Sequence, residues 1–310
     1  MLDTLKVTGK KPESGYVVLN EDGDVSLGVV YDKVCFIKGF SDNEITVSDD
    51  ISKCDYIELR EIKEVILSEL NKTVVETDNY LGEKDYRYNG PTVNNYVTFS
   101  GETWRFIGYI NGKPKLVRDD SIGQYKWNEH LNNDWNTSTF QIYLNNEYYN
   151  SLSDKDMIVE TSYNLGVVDN FETTIDYIYS RENGNFPPPN NPYEEERSAV
   201  IENTKIALMY PSDIGYSLNV EYSYDDGFEN KTWLYKDLEE YLLTMSDGPV
   251  DAIYVSNFGS GYFTHDYLEV DDDWGTITYP RDIRPVLYLK PEVKIKSGTG
   301  SSEDPYILSF

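Results

Sequence analysis

The end of the chain constrains the fold more than any other part. Arg284-Pro285-Val286-Leu287-Tyr288-Leu289-Lys290 is followed by Gly298-Thr299-Gly300-Ser301-Ser302-Glu303-Asp304-Pro305-Tyr306-Ile307-Leu308. An apolar run bounded by proline and lysine reads as one buried strand. The glycine- and serine-rich stretch reads as a tight turn into a short closing strand. Arg284 is expected to bond backbone carbonyls or an acid, and the closing strand to pin the chain end beside the start of its domain. The turn resembles a phosphate loop only in composition, since neither a helix nor a lysine follows it.

The chain has 310 residues, 39% of them hydrophobic. That length buries a sizeable core and admits one large domain or two smaller ones. With 27 basic residues against 55 acidic ones, the net charge is −28. Such a surface repels nucleic acid and anionic lipid, so neither is expected as a partner. It either concentrates cations such as calcium or simply keeps the protein in solution. Tyrosine dominates the aromatics, 28 against 11 Phe and 5 Trp. Together with many asparagines this suits an adaptable recognition surface, and an AT-rich genome gives the same bias. No apolar run approaches the roughly 18 residues of a membrane span, and no secretory signal is visible. Met1-Leu2-Asp3-Thr4-Leu5-Lys6 reads as a continuation, so the natural chain is expected to extend upstream of Met1.

Residues 16–60 alternate in the manner of strands. Tyr16–Leu19 and Val25–Tyr31 read as a hairpin around Asn20-Glu21-Asp22-Gly23-Asp24, and Val34–Ile37 and Glu44–Val47 as further strands. Residues 56–76 take a helical period through Ile57, Ile62, Val65, Ile66 and Leu70. The polar stretch 76–95, with Gly82, Gly90 and Pro91, reads as a linker between a module at 1–75 and a domain at 96–310. In that domain Asn111-Gly112 is a hairpin turn and Ser138 a helix cap over Phe140, Ile142, Tyr143 and Leu144. Residues 181–197, with Pro187-Pro188-Pro189, read as an exposed insert. Ile206–Tyr210 reads as a buried strand ended by Pro211, and Trp233–Tyr235, Ala252–Ser256 and Tyr262–Thr264 as short strands.

Candidate chemistry is sparse. His130 and His265 are the two histidines, and no nucleophile elbow accompanies them. Glu269, Asp271, Asp272 and Asp273 form the densest acidic cluster and the best candidate for calcium, although the spacing is not that of an EF-hand loop. No other cofactor is expected. Trp127, Asn128, Asn133, Asp134, Trp135, Tyr262, His265 and Trp274 are the candidates for ligand binding, by stacking aromatics on a sugar and hydrogen bonding from Asn and Asp. Cys35 and Cys54 either pair, closing a loop of about 20 residues worth roughly 3 kcal/mol, or remain buried thiols. A disulfide would imply export.

The order Trp104–Tyr109, Lys115–Arg118, Trp135-Asn136, Leu144-Asn145, Tyr148-Tyr149, Leu208–Tyr210, Trp233-Leu234, Tyr254-Val255 and Arg284–Leu289 resembles a family of extracellular domains of gut Bacillota with the C-type-lectin-like fold. That fold also houses formylglycine-generating enzymes and the variable receptor-binding proteins of diversity-generating retroelements. The resemblance covers about residues 96–309. It implies an α+β, C-type-lectin-like domain of short twisted antiparallel strands and two short helices, with Trp104, Arg284, Pro285, Gly298 and Gly300 as its structural signature. The stretch from Gly15 to Cys54 resembles the globular part of a type IV pilin or pseudopilin, here without a leading helix. The late cysteine pair by which formylglycine-generating enzymes bind copper is absent, and so are the Glu-Pro-Asn and Trp-Asn-Asp calcium triplets of sugar-binding lectins. Asn133-Asp134-Trp135-Asn136 is at most a scrambled echo. The expectation is a non-enzymatic, secreted or cell-surface binding module for a glycan or a surface protein. The alternative is a structural component of a pilus-like filament or secretion apparatus, and an enzyme ranks third.

Overall fold

A computed structural model describes residues 59–79, 82–128, 135–165, 175–183, 204–218, 228, 230–244 and 280–310 in full, and the backbone alone for 5–6, 16–19, 33–40, 44–47, 167–168, 200–203, 245–246, 251–256 and 262–267. The protein is a mixed α and β structure, mostly sheet with short helices. No described helix is long and apolar enough to cross a membrane.

Four strands come first: β1 (Leu5–Lys6), β2 (Tyr16–Leu19), β3 (Lys33–Phe40) and β4 (Glu44–Val47). They pair in the order β1-β4-β3-β2. Val17 lies opposite Cys35. Cys54 and the side chain of Cys35 lie outside the described residues, and so does the question of their pairing.

The next elements are β5 (Arg60–Glu61), α1 (Ile62–Leu67), β6 (Val74–Asp78), β7 (Lys84–Tyr88), β8 (Tyr96–Phe99), β9 (Glu102–Ile110), β10 (Lys113–Arg118) and β11 (Gln124–Tyr125). α2 (Thr139–Tyr143) runs through a π-helical turn, Leu144–Tyr148, into α3 (Tyr149–Ser151). β12 (Thr161–Asn164), β13 (Val167–Val168), α4 (Ile175–Glu182), β14 (Val200–Thr204), β15 (Ile206–Ala207) and α5 (Pro211–Ser217) come after it. The chain closes with β16 (Glu240–Ser246), β17 (Asp251–Ser256), β18 (Tyr262–Tyr267), β19 (Arg281–Asp282), β20 (Val286–Tyr288), β21 (Lys294–Ser297) and β22 (Tyr306–Ser309).

Ten of these strands make the central sheet, in the order β15-β20-β10-β9-β8-β22-β21-β5, with β6 and β7 joined to β9 through β7. A second sheet runs β11-β19-β16-β17-β18, with β13 on β16, and β12 pairs β14. β20 is buried along its length, as expected of an apolar run. Ser138 caps α2 by accepting from the Gln141 amide at 3.1 Å. Asn111 and Gly112 both take positive φ, 50° and 73°, the two-residue turn that matches the strand twist between β9 and β10.

The chain end is tied as its sequence suggests. Gly298 has φ 93°, and a Cβ there would stand 2.1 Å from the Pro305 carbonyl oxygen, so only glycine fits. β22 then pairs parallel with β8, Tyr306 opposite Val97. Arg284 donates two bonds to the Glu240 carboxylate, at 2.6 and 2.7 Å, and one to the Leu234 carbonyl at 2.7 Å.

Three local expectations change. The helix expected over 56–76 is confined to α1, because Asn71 takes the left-handed φ of 63° and the β-branched residues beyond it extend into β6. The expected linker, 76–95, instead carries most of a β6–β7 hairpin that joins the central sheet. The charges of this stretch suggest solvent, but Asp85 and Arg87 are both buried and pair with each other at 3.3 Å. β5 also belongs to the central sheet, and α1 buries Ile62 and Ile66 in the same core, so no boundary separates residues 60–75 from residues 76–118. Finally, the strand expected over Ile206–Tyr210 ends at Ala207, and Pro211 instead opens α5, where its missing N–H costs nothing.

Candidate functional site

Four elements bring charge into the interior at one place. Along β7, Asp85 and Arg87 are two residues apart and therefore share a face of the strand. Arg87 donates to Thr77 Oγ1 and lies over the rings of Tyr179 and Tyr216, at 4.5 and 4.9 Å from their centroids. Tyr179 closes the group by donating its hydroxyl to Asp85.

On β10, Lys115 stands opposite Tyr288 of β20. Its Nζ donates to both oxygens of Asp213, at 2.8 and 2.6 Å. Its ammonium lies 4.8 Å from the Tyr210 ring centroid and 5.5 Å from that of Tyr288. Asp213 sits in the first turn of α5 because its Oδ2 accepts the Tyr210 amide at 2.8 Å. Both carboxylate oxygens are thus engaged. Burial draws the Lys115 ammonium below its ordinary value, while the adjoining Asp213 opposes that shift.

Glu182, one helical turn from Tyr179 on α4, is also buried. Its Oε1 accepts from Thr244 Oγ1 at 3.0 Å and from the Ser212 amide at 3.4 Å. Burial pushes its carboxyl up to about 8, with Asp213 adding to the shift and the Ser212 and Thr244 bonds opposing it. Burial likewise raises the hydroxyls of Tyr163, Tyr210 and Tyr288, and that of Tyr179 to about 12.

These residues enclose a cavity of about 200 Å³. Arg87, Lys115, Tyr163, Glu182, Tyr210 and Asp213 line its buried part. The half-buried Asn111, Lys113, Asn164 and Asn183 and the exposed Ser162 line it toward solvent. Arg87, Tyr163 and Glu182 of this lining each carry a buried polar atom with no hydrogen-bond partner, Nε, OH and Oε2, and these atoms are packed away from the open space of the cavity.

Two of the aromatic candidates, Trp127 and Trp135, lie elsewhere. Trp127 and Trp135 are 1% and 0% exposed and pack edge-to-face at 5.9 Å, with Phe140 and Tyr241 completing the cluster. Neither has a face left for a sugar; they fill the core, where large aromatics contribute most. Asn128 is buried and donates to the Thr137 carbonyl and hydroxyl at 3.3 Å. Tyr262 and His265 lie on β18, with the backbone alone described. Asn133, Asp134, Trp274, Glu269, Asp271, Asp272 and Asp273 lie outside the described residues. Among the described residues no three of His, Cys, Asp and Glu gather to hold a metal. Trp104 and Arg284 are buried in the core, in keeping with a structural part.

Sequence reasoning passes over the cavity because its charges come from distant segments; Lys115 and Asp213 are 98 positions apart. One signal is present. Lys115 precedes Leu116 and Val117 within a strand whose four central residues are all buried, and a lysine there needs a partner.

No family model matches this chain, and no curated protein and no solved structure is significantly similar to it.

Proposed function

We propose that the chain is a non-enzymatic binding module, secreted or displayed at the cell surface and of C-type-lectin-like build, that takes a small polar ligand in the cavity between β7, β10, α4 and α5. The observation that carries this reading is the cavity itself, about 200 Å³, walled by Arg87, Lys115, Tyr163, Glu182, Tyr210 and Asp213 and open to half-buried asparagines. Recognition of a ligand requires a concave site with a few placed polar groups.

The same geometry argues against chemistry. Lys115 and Asp213 are bonded to each other, and the Tyr210 amide takes part of Asp213 as well. Neither is a free base or nucleophile. Glu182 alone is not the pair of carboxyls that acid–base hydrolysis needs. Calcium at Glu269, Asp271, Asp272 and Asp273 belongs to the same proposal as an accessory. A structural part in a surface filament is the second reading, supported by the four-stranded antiparallel N-terminal sheet.

The test is a screen of small polar compounds against the whole chain by ligand-observed NMR, repeated with Asn183→Trp to obstruct the cavity. Compounds that bind the native protein, not the variant, and are recovered unchanged support the reading. Conversion of a bound compound to product, or equal binding by both proteins, would sink it.

A further inference from the structure

A sealed lysine is the unusual group of this interior. Among the described residues, every other lysine in an ion pair is at least 24% exposed, where water holds its charge. Lys115 and Asp213 are each 1% exposed and come from segments 98 positions apart. The other two sealed pairs, Arg87 with Asp85 and Arg284 with Glu240, use a guanidinium, which stays protonated and is no nucleophile. A buried lysine gives up its proton more readily and then carries a nucleophilic amine. Lys115 and Asp213 are closed to a ligand, but each is presented to the other.

Their placement suits a reaction between them. Nζ lies 2.8 Å from Oδ1 and 2.6 Å from Oδ2. Two such short contacts put the nitrogen roughly 3 Å from the Asp213 Cγ, the range of a near-attack contact. Separate elements hold the partners there. Lys115 is fixed on β10 opposite Tyr288. Asp213 is fixed in the first turn of α5, where the Tyr210 amide donates to Oδ2 at 2.8 Å and Glu182 accepts from the neighbouring Ser212 amide at 3.4 Å. Groups locked at such range react as if at an effective concentration on the order of 10⁵ M or more.

The surroundings disfavour the charged pair. Burial draws the Lys115 ammonium down, and Glu182, kept protonated by its own burial up to about 8, supplies no second negative charge to hold it. The rings of Tyr210 and Tyr288, 4.8 and 5.5 Å from Nζ, keep bulk water away. An ion pair shut off from water is costly, and a neutral amide in its place removes both charges.

We propose that Lys115 and Asp213 condense with each other to an isopeptide bond between β10 and α5. The ammonium first passes a proton to Oδ1. The neutral amine then attacks Cγ and forms the Cγ–Nζ bond, while the Tyr210 amide stabilises the negative charge that develops on Oδ2. Nζ passes a second proton to Oδ1, the Cγ–Oδ1 bond breaks, and Oδ1 leaves as water into the adjoining cavity. Oδ2 stays as the amide oxygen, still bonded to the Tyr210 N–H. Nothing is oxidised or reduced. The reaction happens once in each chain, so it belongs to a binding module that secures its own fold. The product ties the central sheet to α5 across 98 positions and constrains the unfolded chain as any cross-link does. Before condensation the pair is the ion pair of the structure, and protein of full mass is the reference for stability comparisons at Lys115.

Mass spectrometry of the full chain reads the bond. The folded protein is held overnight at physiological temperature, then denatured and weighed intact. The expected mass is that of the sequence less one water. Trypsin should then yield one species joining residues 106–118 to residues 206–231, uncut after Lys115. Lys115→Arg, which keeps the charge but not the amine, should keep its full mass. A native mass equal to that of the sequence would overturn the proposal. So would separate peptides from the two segments, which would place any lost water elsewhere, or the same loss of water in Lys115→Arg.

Discussion

Two buried ion pairs divide the molecule into a closed part and an open one. Arg284 meets Glu240 through a two-pronged contact and adds the Leu234 carbonyl, leaving only Nη1 without a partner. Lys115 meets Asp213 with equal closeness, but on the wall of a cavity. An arginine fork satisfies a carboxylate in one fixed plane, so it suits a permanent internal joint. A lysine is a point charge with no such plane, and the groups around it stay only partly bonded. A buried pair of the first sort holds the scaffold, and one of the second sort marks where something else can enter.

The comparison predicts unequal costs. Arg284→Leu leaves Glu240 charged and sealed in the core, and should lower stability by about 4 kcal/mol in urea denaturation. Lys115→Met strands Asp213 beside a cavity that water can reach, and should cost about 2 kcal/mol. If the two losses are equal, the distinction between closed and open pairs fails.

Glu182 sharpens the comparison through pH. Its carboxyl is raised from 4.5 to about 8 in the folded protein. Below 4.5 both folded and unfolded states hold the proton, and this group imposes no penalty. Between 4.5 and about 8 the unfolded chain has lost the proton and the folded one keeps it, so stability falls as pH rises. Above about 8 the loss is complete. We expect a decline on the order of 2 kcal/mol across that window, since water at the cavity softens the full linkage value. Glu182→Gln should flatten it, as read by denaturation at a series of pH values. An unchanged slope in the variant would remove Glu182 from the account.

Much of the scaffold was legible in the sequence because its determinants are local. The Asn111-Gly112 turn, the Ser138 cap and the Gly298 turn each depend on a few adjacent residues and on backbone geometry. The β6–β7 hairpin was not legible, because Asp85 and Arg87 look solvent-bound until they are seen to pair inside. Trp127 and Trp135 stood out as candidates for recognition, yet nothing local tells a stacking tryptophan from a packed one. The cavity was hidden for a related reason. Arg87, Lys115, Tyr163, Glu182 and Asp213 come from five segments, and only tertiary packing makes them neighbours.

The most direct test of the central claim, that the cavity takes a small polar ligand, obstructs the cavity at its solvent side. Urea denaturation of the native protein and of Asn183→Trp should be run with and without a compound that binds in the NMR screen. The compound should stabilise the native protein and leave the variant unchanged. Equal stabilisation of both proteins would mean that the compound binds elsewhere and would contradict the account.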